Sequence, residues 1–287
     1  MSTSPRPPVL LLGGTGRTGR RVARRLEAHD QGVRVASRRG TPPFAWDAPE
    51  GWPALLDGVS AAYVAYAPDL ALPQAEDHLR RLGREARTAG LGRLVLLSGR
   101  GEPAAARSEA ALREAGVPVA VVRSSWFAQD FSEHFLRDGV LEGVVALPTA
   151  GRPDVAEAFV DVDDVADVVT ALLLAPAAAH ETLELSGPAL LTFDQAVAEV
   201  SAATGRTVVH VALDVPSFVA GAALAGVPRE EAEPLARLFA QVLDGRNERL
   251  TDDVRRVLGR EPRAFADVVR AAAVAGAWDG APAGAAC

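Results

Sequence analysis

Lysine is absent from this chain: all 30 basic residues are arginine. Every mechanism that needs a side-chain amine is thereby excluded, including Schiff-base chemistry, anchoring of pyridoxal phosphate and the lysine of a P-loop. Cysteine is almost as scarce. The single one, Cys287, is the last residue, which rules out an intrachain disulfide and a thiolate metal cluster and agrees with a reducing, cytoplasmic location. Only two tyrosines occur, Tyr63 and Tyr66. Long apolar runs are missing as well. The longest, residues 168–179, is interrupted by Pro176 and is too short to span a bilayer, and the opening MSTSPRPP has no apolar signal region. Nor is there a basic excess: the net charge is -7 and the pI near 5.3, which leaves no electrostatic footprint for nucleic acid or an anionic membrane. The expected partner is a small molecule, bound by a monomer or homodimer.

What is present is enough for one sizeable core, since 48% of the 287 residues are apolar. The run from Pro8 to Leu12 enters GGTGRTG and is followed by Arg20, Val22, Ala23 and Leu26 at helical spacing. That is strand, glycine turn, helix. Further strands are expected at Val33–Ala36, Phe44–Asp47, Val59–Tyr66, Leu94–Ser98 and Val117–Val122, with helices at Pro73–Ala89 and Ala104–Ala115 between them. Later come a helix at Ala128–Arg137, a strand at Val140–Leu147, a helix opening at Asp163 or Asp164 and a strand at Thr182–Ser186. A helix after Thr192, a strand at Thr207–Leu213 and mainly helix from Pro216 complete the chain. Alternating strands and helices predict an α/β class, a Rossmann-type doubly wound parallel sheet with a smaller C-terminal substrate-binding region. Residues 1–150 are read as mainly the NADP-binding domain. Residues 151–278 are read as a mixed, mainly helical region that also completes the sheet and closes over its carboxyl edge, and 279–287 as a disordered tail.

The glycine turn reads both as GxGxxG (Gly14, Gly16, Gly19) and as GxxGxxG (Gly13, Gly16, Gly19). Glycine allows the tight turn, lets backbone N–H groups approach a pyrophosphate and lets the helix pack close to the strand. Gly13, Thr15, Gly16, Arg17, Thr18 and Gly19 are the candidate cradle. A site for NAD would carry Asp or Glu at the end of the second strand to hold the ribose hydroxyls. This chain has Ser37, Arg38 and Arg39 there, a set suited to a 2'-phosphate, so NADP(H) is the expected cofactor. Asp47, at the end of the expected third strand, is a candidate partner for the adenine amino group, or a turn former.

The strings LLLGGTGRTGRRVARRL, ASRR, LVLLSGRG, SEAALREAGVPVAVVRSSWFAQDF and FVDVDDVADVV together resemble the NmrA-like branch of atypical short-chain dehydrogenases over about residues 8–275. The resemblance implies an NADPH-dependent quinone or azo reductase, a reductase-like protein of ergot alkaloid synthesis, or redox sensing through bound NADP without turnover. It also implies a cofactor-contacting or substrate-orienting role for Ser98. Where the family often has Arg-Pro and a later Asn, this chain has Arg123-Ser124 and Asp130, so contacts of that Asn do not carry over.

A typical member of the wider superfamily pairs a proton-donating Tyr with a Lys four residues on. That pair cannot exist here. The remaining candidates for chemistry are Tyr66, at the end of its strand, Ser98, and Asp130 with His134, four apart and on one face of the expected helix. Trp126 and Phe127 are candidates for the substrate-pocket wall, with ordinary core packing as the alternative. Asp161, Asp163, Asp164 and Asp167 are read as residues of a helix start, not as a metal loop, and no metal is expected. The overall expectation is a reductase of a quinone, an iminium ion or an activated alkene; a cofactor-sensing regulator or a non-redox cyclase or isomerase is the alternative.

Overall fold

A computed structural model describes residues 6–176 and 179–280; the expected tail beyond Gly280 lies outside the described residues. The chain divides into two compact units. The first runs to Ser124 and takes in Val162–Leu185 and Asp253–Arg260; the second holds Ser125–Asp161, Ser186–Asp252 and the chain from Glu261. The boundary drawn at residue 150 from the sequence therefore falls inside the second unit, because the chain leaves the sheet at Ser124 and returns to it later.

The first unit opens with β1 (Val9–Leu12), α1 (Arg17–Ala28), β2 (Val33–Ala36), α2 (Trp52–Leu56) and β3 (Ala61–Ala65). It continues with α3 (Pro73–Thr88), β4 (Leu94–Gly99), α4 (Pro103–Arg113) and β5 (Val119–Ser124). The second unit begins with α5 (Asp130–Glu133), α6 (Leu136–Glu142), β6 (Val144–Leu147) and β7 (Ala156–Glu157). The first then regains α7 (Val162–Leu174) and β8 (Glu181–Leu185). The second resumes with β9 (Leu191–Thr192), α8 (Phe193–Thr204), β10 (Val209–Ala212), α9 (Val215–Leu224) and α10 (Arg229–Val242). Last come α11 (Asp253–Leu258), in the first unit, and α12 (Phe265–Val274), in the second.

Six parallel strands form the sheet of the first unit in the order β2-β1-β3-β4-β5-β8. The strands read as near-continuous apolar runs because both faces are covered, as a parallel sheet requires. Leu10, Leu12, Ala62, Val64, Leu94 and Leu96 pack on one face with Leu79 and Leu82 of α3 and Leu112 of α4. On the other face α7 packs beside α1 and against β3, β4 and β5. The strand order reverses direction at β1, which lies between β2 and β3, and that reversal is where sheets of this kind bind ligands, outside the carboxyl ends of their strands.

The expected strand at Phe44–Asp47 does not form. Two prolines precede it, the Phe44 N–H turns back to the Ser37 carbonyl at 2.9 Å, and Phe44 and Trp46 collapse onto Trp52, with ring centroids 6.0 and 5.8 Å away. The sixth strand of the sheet is β8 instead. The expected helix at Ala128–Arg137 is also broken. The indole N–H of Trp278 donates to the Phe131 carbonyl at 2.8 Å, the acceptor a continuing helix would use, and His134 is extended. The strand expected from Val140 starts only at Val144, after Gly143 closes α6 in the left-handed region at φ 83°.

In the second unit β6 pairs with β10 in parallel and β7 with β9 antiparallel, around an apolar core that includes Phe131, Phe159, Phe193 and Phe265. Its α8 opens with a capping box, Thr192 accepting from the Gln195 N–H while the Gln195 side chain accepts from the Thr192 N–H.

Candidate cofactor and active site

The glycine turn is shaped by close approach. Gly13 has φ 87°, and a Cβ on it would meet the Ala65 carbonyl oxygen at 2.9 Å, so the turn lies directly against the end of β3. Gly19, in the first turn of α1, admits no Cβ either, because the Gly13 carbonyl oxygen and the Gly14 Cα occupy that space. Gly16 stands at the N-cap of α1 without a side-chain cap, and the first turn carries no acidic residue. The helix thus presents its leading N–H groups and the positive end of its dipole with no anion of its own to meet them. Thr15 and Gly16 are exposed at this end and Arg17 is half-buried. Thr18 points inward: it is buried, beside the Tyr63 phenol.

At the carboxyl end of β2, the Ser37 carbonyl accepts the N–H groups of Gly40 and Phe44 at 3.0 and 2.9 Å, which fixes the turn. Arg38 and Arg39 project from that turn into solvent, and no carboxylate pairs with either among the described residues. Guanidiniums without a carboxylate partner are chemically suited to phosphate oxygens. Asp47 sits in an exposed turn after Trp46 and not at the end of a strand, so its expected anchoring position changes with the loss of that strand.

Tyr66 follows β3 directly. Its hydroxyl and the Nδ1 of His78 on α3 lie 2.8 Å apart, its ring packs on Trp46 at 4.6 Å, and burial raises the phenol above its ordinary range. Ser98, near the end of β4, is buried and donates its hydroxyl to Glu109 Oε1 at 2.7 Å. Glu109, on α4, is in turn held by Arg123 of β5, and Arg123 and Arg100 both approach Glu184 of β8. Sequence reasoning missed this charged network, because its members are spread over four elements and each looks like an isolated surface charge. It also missed Glu102, half-buried between β4 and α4. Burial, reinforced by the nearby carboxylates of Asp69 and Glu109, pushes the Glu102 carboxyl up to about 7.

The other expected residues belong to the second unit. Trp126 packs into an aromatic cluster with Phe239, Phe193 and Phe135 at ring distances of 5.0, 5.6 and 5.9 Å. Phe127 forms a bridge to Val160. Asp130 is buried and accepts the Phe127 N–H at 3.2 Å, while the exposed His134 stands 3.8 Å from it by its Nδ1. The pair thus survives without the continuous helix expected to align it.

The aspartates around α7 hold arginines. Asp163 receives Arg21 and Arg25; Asp164 and Asp167 both receive Arg260, at 2.7 and 2.6 Å; and Arg25 also reaches Asp167. Asp161 accepts the Gln129 amide at 2.7 Å within the second unit. Among the described residues no helix is long and apolar enough to cross a membrane.

No protein-family model matches the chain. It is 30% identical over 290 residues to an uncharacterized oxidoreductase of Bacillus subtilis (strain 168), covering 94% of this chain and 96% of the relative. It is 32% identical over 287 residues to agroclavine dehydrogenase of Claviceps fusiformis, covering 91% of this chain and 96% of that one. Among solved structures it matches Citrobacter sp. triphenylmethane reductase complexed with NADP(H), with a TM-score of 0.77 at 19% identity over 92% of this chain and 99% of the other. At that identity the likeness is one of fold.

Proposed function

The chain belongs to the NmrA-like branch of the atypical short-chain dehydrogenases, and on that premise we propose that it is an NADPH-dependent reductase of a small organic acceptor: a quinone, an iminium ion or an activated alkene. The observation that carries the reading is the glycine turn closed against β3, with uncapped α1 following β1 and the exposed Arg38 and Arg39, without a carboxylate partner, following β2. A Cβ at Gly13 or Gly19 would clash with backbone, so these glycines permit the compact turn and close helix packing that a dinucleotide cradle requires.

In this reading the backbone of Gly13, Thr15, Gly16, Arg17 and Gly19 holds the pyrophosphate, Thr18 braces the turn from inside, Ser37, Arg38 and Arg39 take the 2'-phosphate, and Asp47 takes the adenine edge. Bound NADPH supplies a hydride. The chain itself supplies binding and orientation. Without a lysine it has no Tyr-Lys pair, and the two candidate hydroxyls, Tyr66 and Ser98, already face His78 and Glu109. Acceptors that demand little help from a tyrosine suit such a site, which favours quinones, iminium ions and activated alkenes over simple ketones. Similarity to an oxidoreductase and to agroclavine dehydrogenase supports the redox part of this reading.

The test is absorbance-monitored oxidation of NADPH, with NADH in parallel, against quinones, cyclic iminium salts and enones. Acceptor-dependent oxidation that favours NADPH is expected. Tight NADPH binding with no turnover across the panel would instead favour a cofactor-sensing role.

A further inference from the structure

Glu102 stands at the N-cap of α4, where a carboxylate ordinarily accepts hydrogen bonds from the first N–H groups of the helix. It makes no such bond. The carboxyl lies back against Gly99, the last residue of β4, so closely that a Cβ on Gly99 would collide with its oxygens. No ion pair or side-chain hydrogen bond engages it among the described residues. It is therefore an acid held at the carboxyl end of a central strand with its carboxyl left without a hydrogen-bonded or ionic partner among the described residues. The charged groups facing it are Asp69, from the segment after β3, and Glu109 of α4, whose own charge is met by Arg123 of β5. With its carboxyl pushed up to about 7, Glu102 carries a proton in a large fraction of molecules near neutral pH.

We propose that Glu102 is the catalytic acid for reductions whose hydride adduct is an anion, the role a tyrosine fills elsewhere in the superfamily. The proposal rests on the reductase reading above. Addition of a hydride to a quinone or an enone leaves an oxyanion. The Glu102 O–H bond breaks, a new O–H bond forms on the adduct, and the remaining carboxylate regains a proton from water. One NADPH, as the source of the hydride, and one solvent proton are consumed per acceptor reduced. An iminium ion becomes a neutral amine on gaining a hydride, so it needs no proton and provides an internal control.

The full chain, Glu102→Gln and Glu102→Asp are assayed with NADPH against a naphthoquinone and against an N-methyl cyclic iminium salt. Loss of a general acid predicts a fall of about 100-fold in kcat for the naphthoquinone in Glu102→Gln, with the iminium rate within about threefold of the parent. Glu102→Asp restores part of the naphthoquinone rate. In the parent protein that rate falls as pH rises through about 7, and in Glu102→Gln this limb is gone. Infrared difference titration of the cofactor-free protein supplies a reading apart from activity: a carboxylic C=O band lost near pH 7 in the parent and missing in Glu102→Gln. Equal loss with both acceptors, an unchanged naphthoquinone rate, or a carboxyl that titrates in the ordinary range overturns the proposal alone. If the parent protein binds NADPH but reduces neither acceptor, the reductase reading fails and takes the proposal with it.

Discussion

Arg123 grips the Glu109 carboxylate with two nitrogens, its Nε 2.9 Å from Oε1 and its Nη2 2.6 Å from Oε2, and Oε1 also accepts the Ser98 hydroxyl at 2.7 Å. Glu109 is almost fully buried, at 2% exposure, so its charge depends on this pair. Breaking a buried pair from one side costs far more than the pair contributes, because the remaining charge is left in a poorly solvating interior. Arg123→Met is therefore expected to lose about 3–5 kcal/mol in urea unfolding. Adding Glu109→Gln, which removes the stranded charge but keeps an acceptor for Ser98, is expected to recover most of that loss. Equal stability of the single and double variants would contradict the account.

The phosphate-receptor role of Arg38 and Arg39 predicts a selective effect. A charge-assisted contact to a 2'-phosphate is worth about 1–3 kcal/mol, so Arg38→Ala combined with Arg39→Ala should weaken NADPH binding by roughly 10- to 100-fold while NADH changes little. Fluorescence titration of both nucleotides measures this directly. A parallel loss for NADH would mean that the arginines support the fold and do not read the phosphate.

Gly19 tests the close approach. In Gly19→Ala the added methyl meets the Gly13 carbonyl oxygen, and the backbone of the turn must move to admit it. Both nucleotides should lose affinity together, by about tenfold or more, because the pyrophosphate cradle is common to them. A melting temperature lowered along with binding is consistent; full affinity is not.

Tyr63 is expected to weaken the first unit at alkaline pH. Its phenol is wholly buried, its hydroxyl faces Thr18 without a well-formed hydrogen bond, and burial holds its ionisation well above the ordinary value of 10.0. The unfolded chain ionises near pH 10 while the native state cannot, so the stability Tyr63 contributes is intact at lower pH and is lost as pH rises above about 10. Tyr63→Phe should leave stability at pH 7 within about 1 kcal/mol of the parent and flatten the decline above pH 10, as read from urea midpoints across pH. An unchanged decline would assign it to other groups.

The parallel sheet and the glycine turn were legible in the sequence because local rules act there without competition. The apolar run to Leu12, the glycines after it and the stripe Val22, Leu26 describe strand, turn and helix in order, and the absence of an acid after Ala36 was readable in the same way. Thr192 likewise marked the start of α8. The failures lie where tertiary partners overrule local preference. Phe44 and Trp46 look like a strand but fold onto Trp52, and the helix through Phe131 stops because Trp278, 147 residues away, takes its carbonyl. Glu102 was hidden for a different reason: an acid followed by proline at the start of a helix reads as a cap, and only the position of its carboxyl against Gly99 distinguishes it.

The central claim, reduction by hydride from NADPH, is tested most directly with NADPH carrying deuterium at both nicotinamide C4 positions and mass spectrometry of the reduced acceptor. The account predicts that deuterium appears on a carbon of the iminium-derived amine or of the saturated enone, in step with nicotinamide oxidation. Oxidation of the cofactor without label in the product, or tight binding with no product at all, would contradict it.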